Sequence, residues 1–96
     1  MKSLPKFSFR LYVAGDALNS AQALANLRAL CRASLPDRHV IEVVDVFVDP
    51  ARALKDAVFM TPTLLKLAPN PKRRIIGNLS DTWRVREALG LESPDE

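Results

Sequence analysis

Two segments with strand character lie one helix apart near the start of the chain, and that spacing restricts the fold more than any other feature. Phe7, Phe9, Leu11 and Val13 alternate with Ser8, Arg10 and Tyr12, the period-two pattern of a strand with one buried face. The second segment, Val40-Ile41-Glu42-Val43-Val44-Asp45-Val46, is β-branched and nearly continuous, as expected of an inner strand buried on both faces. Between them Gly15-Asp16 breaks the first strand, and Asn19 or Ser20 can cap a helix. Leu24, Leu27, Cys31 and Leu35 then recur every three or four residues until Pro36-Asp37 stops it. Strand, helix and strand in this order form a βαβ unit with a parallel pair.

The rest of the chain extends that unit. Asp49 and Pro50 offer an N-cap and an N1 proline for a short helix through Ala57. Thr61-Pro62-Thr63 leads into Leu64-Leu65-Lys66-Leu67, Pro69-Asn70-Pro71 makes a turn, and Arg73-Arg74-Ile75-Ile76 returns as the second arm of a hairpin. Ser80 can cap a last helix, with Asp81 at its positive end, Val85, Ala88 and Leu89 as its apolar stripe and Gly90 as its C′ residue. The order β-α-β-α-β-β-α is the thioredoxin-like α/β arrangement, with Pro62 where that arrangement carries a cis proline. A chain of 96 residues has room for one core, so residues 1–96 are expected to form a single domain whose acidic tail, residues 92–96, is mobile.

Several function classes are excluded by what is missing. No apolar run approaches the roughly 18 residues that cross a bilayer, and the first six residues lack the apolar stretch of a secretory signal. Cys31 is the sole cysteine, which rules out an internal disulfide, a CxxC redox pair and a multi-cysteine metal site, and fits a cytoplasmic protein. The formal net charge is +3, but three acidic residues lie in 92–96, so residues 1–91 carry +6. The basic residues are dispersed apart from Lys72-Arg73-Arg74, and no aromatic residues interleave with them as a stacking platform. An acidic protein surface is therefore the expected partner rather than nucleic acid or membrane.

The residues that could carry chemistry have plainer explanations. A thiol oxidoreductase of this fold needs a thiolate at the start of the first helix, where the helix dipole and free N–H groups stabilise the anion. Asp16-Ala17-Leu18-Asn19-Ser20 holds that place, and Cys31 falls three turns later on the apolar face, where a buried thiol is inert. Ser20 could donate to a glutathione thiolate, but an N-cap explains it, and 96 residues leave no room for the helical second domain of a glutathione transferase. His39 has no partners at triad or ligand spacing and reads as a surface residue. Gly15 and Gly77 are isolated turn glycines, and Asp45 and Asp49 fit a strand end and a helix cap. No cofactor or metal is expected. Lys72-Arg73-Arg74, joined by Lys66 from the opposite arm, forms a candidate cationic docking patch.

Three segments together resemble the KaiB family of circadian clock proteins: Leu11-Tyr12-Val13-Ala14-Gly15 with Asn19-Ser20, then Thr61-Pro62-Thr63-Leu64, then Arg73-Arg74-Ile75-Ile76-Gly77-Asn78-Leu79-Ser80-Asp81. The resemblance implies a non-enzymatic regulator that binds the hexameric ATPase and autokinase KaiC. Such a regulator helps capture KaiA, displaces the related sensor domain of a histidine kinase and favours KaiC dephosphorylation. It also implies two folds, a thioredoxin-like monomer and a ground state, usually tetrameric, in which the second half of the chain is rearranged. Ala88 and Gly90 stand where the family often has Gly and Asp. Alanine favours a helix interior over glycine by roughly 1 kcal/mol, so these residues are expected to bias the chain toward the thioredoxin-like state. Glu42 and Ala57 stand where lysines are common, which argues against KaiA capture. The alternatives are a glutathione- or thiol-linked enzyme on the same fold, and a stand-alone sensor domain related to a clock histidine kinase.

Overall fold

In the computed structural model, which describes residues 4–91, the elements follow the expected order: β1 (Phe7–Val13), α1 (Leu18–Ser34), β2 (His39–Asp45), α2 (Pro50–Lys55), β3 (Thr63–Ala68), β4 (Arg73–Ile76) and α3 (Thr82–Leu89). The tail expected to be mobile, residues 92–96, lies outside the described residues. The sheet order is β2-β1-β3-β4, with β1 parallel to β2 and antiparallel to β3, and β3 antiparallel to β4.

β1 is thus an inner strand, and its two faces belong to two separate apolar clusters. Phe7, Phe9, Leu11 and Val13 face α1 and α3, where they pack with Leu27, Cys31, Leu35, Val85 and Leu89. Tyr12 faces the other way, with Val44 and Leu65 of the neighbouring strands, against Ala53 of α2 and Val58 beyond it. The alternation in β1 therefore separates two covered faces rather than a buried face from a wet one. β2 corrects the opposite expectation: it is an edge strand paired only with β1, and Val40 and Val43 are exposed. Its β-branched run reflects strand propensity and half-buried packing, not burial on both faces.

The helix starts differ from the sequence reading at two of three places. α1 begins at Leu18, after Ala17, with no side-chain cap. Ser20 lies inside the helix, buried, where its Oγ accepts from the Ala14 N–H at 3.1 Å and pins the turn after β1. α3 is capped by Asp81, whose carboxylate accepts from the Arg84 N–H at 3.2 Å, one residue later than the expected Ser80. Asp49 caps α2 with Pro50 at its first turn, as expected. Gly90 ends α3 with φ +78°, a left-handed conformation that glycine adopts without the steric cost a Cβ imposes. The Thr61-Pro62 peptide bond is cis, as are Ala68-Pro69 and Asn70-Pro71 in the hairpin turn. Thr82–Leu89 is helical, so the structure has the thioredoxin-like arrangement rather than a rearranged second half.

The inner and edge positions make opposite demands on their side chains. Leu11→Ala, at a fully buried site on β1, should cost about 2–5 kcal/mol in urea unfolding. Val43→Ala, at the position paired with it on β2 but exposed, should stay within about 0.5 kcal/mol of the parent.

Candidate functional site

The β3–β4 hairpin was expected to carry a cationic patch of Lys66, Lys72, Arg73 and Arg74, and the register divides these residues. Lys66 pairs with Arg73 and points to the α1/α3 side, while Leu65 pairs with Arg74 and points to the α2 side. Lys66 is 4% exposed, so it is not part of a surface patch. Its Nζ donates to the Leu89 carbonyl at 3.3 Å and sits 5.5 Å from the centre of the Phe7 ring. A cation at the last carbonyls of a helix and over an aromatic face gains electrostatic energy from both. Burial, followed by the neighbouring Arg73 charge, lowers the Lys66 pKa from its ordinary value. Lys66 is better described as a tether between β3 and the end of α3.

The other three side chains remain at the surface. Lys72, Arg73 and Arg74 are exposed, and among the described residues none of them has a carboxylate within 4.0 Å. Arg74 reaches across to the end of α2, donating through Nη1 and Nη2 to the Ala57 and Asp56 carbonyls. Ala57 has φ +55°, so this clamp holds a residue in a conformation that costs a non-glycine residue roughly 1 kcal/mol or more.

A polar network that the sequence reading missed fixes α2 to the sheet. The hydroxyl of fully buried Tyr12 donates to Asp56 Oδ2 at 2.5 Å, and also lies 3.0 Å from the Arg52 carbonyl. Arg10 donates to the same Asp56 oxygen at 3.0 Å and to Glu42 at 2.7 Å, and Arg52 closes the chain on Glu42 at 2.9 Å. Burial, and then the bond to Asp56, pushes the Tyr12 hydroxyl up to about 12. The Tyr12 hydrogen bond and then Arg10 hold Asp56 below the usual carboxylate range, and Arg10 and then Arg52 do the same for Glu42. The legible signal was the polar half of β1: with α1 on one side, a second helix following β2 had to cover Arg10 and Tyr12.

Comparison with known proteins places this geometry in a family. A family model described as "KaiB domain" matches residues 10–91. The chain belongs to the KaiB family. It is 42% identical over 83 residues to "Circadian clock protein KaiB3" from Synechocystis, covering 86% of this chain and 79% of that one. It is also 42% identical over 85 residues to "Circadian clock oscillator protein KaiB" from Prochlorococcus marinus, covering 88% and 73%. Among solved structures, the N-terminal domain of Synechococcus elongatus SasA superposes with a TM-score of 0.74 at 17% identity, covering 94% of this chain and 89% of that one. The germline-specific thioredoxin Deadhead of Drosophila superposes at 0.71 with 16% identity, covering 88% and 79%. Both likenesses establish the thioredoxin-like fold of this KaiB-family chain.

The remaining candidates are placed as follows. Cys31 is fully buried and burial pushes its thiol up to about 11, so it is a poor source of thiolate. His39 Nδ1 lies 2.7 Å from the Leu35 carbonyl at the start of β2. Asp45 accepts from the Gly15 and Phe47 N–H groups, which closes the loop after β2. Pro62 is buried beside the start of β3. Ala88 and Gly90 lie in the last turn and at the end of α3. Among the described residues no group of three His, Cys, Asp or Glu side chains is arranged to hold a metal, and no helix is long and apolar enough to cross a membrane.

The network makes stability depend on pH at both ends of the scale. Asp56 and Glu42 are depressed, so their contribution is present above the ordinary carboxylate values and is lost as pH falls through the lower folded values. Tyr12 is raised, so its contribution is full below 10 and is lost as pH rises toward about 12. Tyr12→Phe should cost about 1–2 kcal/mol near neutrality. Urea titrations across pH should also show it flattening the acid slope and reducing the alkaline one, where the Cys31 contribution between 9 and about 11 persists.

Proposed function

We propose that this KaiB-family chain is a non-enzymatic clock-type regulator that docks on a KaiC-like ATPase and autokinase ring and biases its phosphorylation state. The observation that carries the reading is the hairpin's exposed Lys72 and Arg73, which with Arg74 present positive charge that no described carboxylate neutralises. Such charge steers association with an acidic face and gains little until a partner supplies the counter-charges. Family membership supports a partner of this class, since the relatives' names refer to circadian clocks. Competition for the ring with a thioredoxin-like sensor domain of a histidine kinase belongs to the same proposal. KaiA capture does not, because Glu42 places a carboxylate, already engaged by Arg10 and Arg52, at the exposed edge strand.

Nucleotide-dependent co-elution with the KaiC-like ATPase of the source organism, in ATP but not equally in a non-hydrolysable analogue, is the expected result of size-exclusion chromatography. Absence of a complex in every nucleotide state would overturn the proposal. Arg73→Glu should weaken the complex by about tenfold and flatten its salt dependence. Cys31→Ser should leave it intact, whereas a thiol enzyme would lose its function.

The same proposal includes a bias toward the binding-competent fold from Ala88 and Gly90. If only a fraction of molecules is competent, apparent affinity falls by that fraction. Ala88→Gly combined with Gly90→Asp should lower apparent affinity and slow binding, because glycine costs a helix interior roughly 1 kcal/mol and aspartate loses the left-handed ease of glycine. Unchanged binding kinetics in that double variant would remove these two residues from the switch.

A further inference from the structure

We propose that the end of the sheet opposite the hairpin is a second protein-docking surface, which takes a basic amphipathic segment of a partner protein. The register separates the two ends. Ser8 pairs with Ala68 beside the hairpin turn, whereas Tyr12 pairs with Thr63 and Val13 with Asp45 at the far end. That far end gathers the first residue of α1, the loop between β2 and α2, and the segment before Pro62. It displays Leu18, Phe47, Val48, Phe59 and Met60, at 72%, 76%, 81%, 80% and 61% exposure. Single exposed apolar residues are ordinary, but five large ones gather at one end, and Phe47, Phe59 and Met60 are of the types enriched in the cores of protein interfaces.

The loop that carries two of them is held in place. Asp45 Oδ1 accepts from the Gly15 N–H at 3.1 Å and the Phe47 N–H at 2.9 Å, while the Val48 and Asp49 N–H groups donate to the Asp45 carbonyl at 3.0 and 2.9 Å. Gly15 sits beneath the Phe47 ring at a φ of +54°, a left-handed conformation that glycine adopts without strain, and a Cβ there would meet the ring at an ordinary contact distance of 3.6 Å. Because the backbone that presents Phe47 and Val48 is already bonded, little loop ordering remains when a partner covers them.

Charge identifies the occupant. Asp16, Asp45 and Asp49 lie at this end, and among the described residues none has a cation within 4.0 Å. Arg52, the first cation of α2, is spent on Glu42, and Lys55 stands at the far end of that helix. An apolar centre with an unneutralised acidic rim favours apolar anchors flanked by Lys or Arg. It disfavours an anionic membrane, and it disfavours a second copy of the same surface, which would set like charges against each other.

The test uses a fluorescein-labelled amphipathic Leu/Lys helical peptide, with Leu/Glu and Ser/Lys peptides as controls, and requires neither the ATPase nor the hairpin. The expected result is saturable binding of the Leu/Lys peptide alone, with amide shifts in heteronuclear NMR confined to residues 14–18, 46–49 and 59–62. Phe47→Ser and Phe59→Ser should each weaken binding by about tenfold. Asp16→Asn should weaken it severalfold and reduce its salt dependence. Arg73→Glu should leave it unchanged, and unaltered thermal melts should show that these exposed-site variants fold. Equal binding of the Leu/Glu peptide, shifts elsewhere on the molecule, or indifference to Phe47→Ser would overturn the proposal. So would uptake by phosphatidylserine vesicles in place of peptide, or self-association abolished by Phe47→Ser.

Discussion

β1 is the strand on which everything else is assembled, because both its edges and both its faces are occupied. β2 and β3 take its hydrogen-bonding edges, α1 and α3 take the face of Phe9, Leu11 and Val13, and α2 takes the face of Tyr12. A strand in that position leaves its neighbours little freedom. A one-residue slip would exchange Leu11 and Tyr12 between an apolar layer and a polar clamp, so the register is strongly specified. The helices then follow as covers for two surfaces of different chemistry.

The two covers are held by different physics. The α1 side is an apolar cluster whose stability comes from burial, and Lys66 joins it by laying its stem inside and giving its ammonium to the end of α3. The α2 side is small, and α2 itself has six residues, too few to be stable as an isolated helix. Its position depends on Tyr12, Arg10 and Arg74, which reach Asp56, the Arg52 carbonyl and the last carbonyls beyond the helix. Breaking the bonds of fully buried Tyr12 would leave a polar group unsatisfied, whereas water can replace those of exposed Arg74, so the clamp's buried part does most to fix the position of α2.

Element order, hairpin, cis proline position and the α2 cap were legible because each rests on local chemistry: alternation, helical spacing, a Pro-rich turn, Asp before Pro. What escaped depended on topology. The β-branched run of β2 looks alike at an edge or in the middle of a sheet, and only pairing distinguishes the two. Lys66 looks like a member of a basic hairpin until the register turns it inward, one residue away from Leu65 on the other face. Ser20 looks like a cap until the helix is seen to start at Leu18. Phe47 and Phe59 carried no periodic signal, because they lie in connections, where an apolar residue has no face to be assigned to.

The polarity of β1 also separates the two proposed docking surfaces. Seven residues at about 3.3 Å each place the hairpin end and the Phe47 end roughly 20 Å apart, against a Debye length of about 8 Å at physiological salt. The basic tip and the acidic apolar end are therefore electrostatically independent: a charge change at one is screened before it reaches the other. Coupling between them must pass through the frame, along β1 and β3 and through the Arg74 and Tyr12 bonds that set α2 between the two ends. Under the two proposals, an acidic partner at one end and a basic one at the other would meet without either charge opposing the second encounter. Any cooperativity between the two would then report movement of α2 rather than long-range attraction.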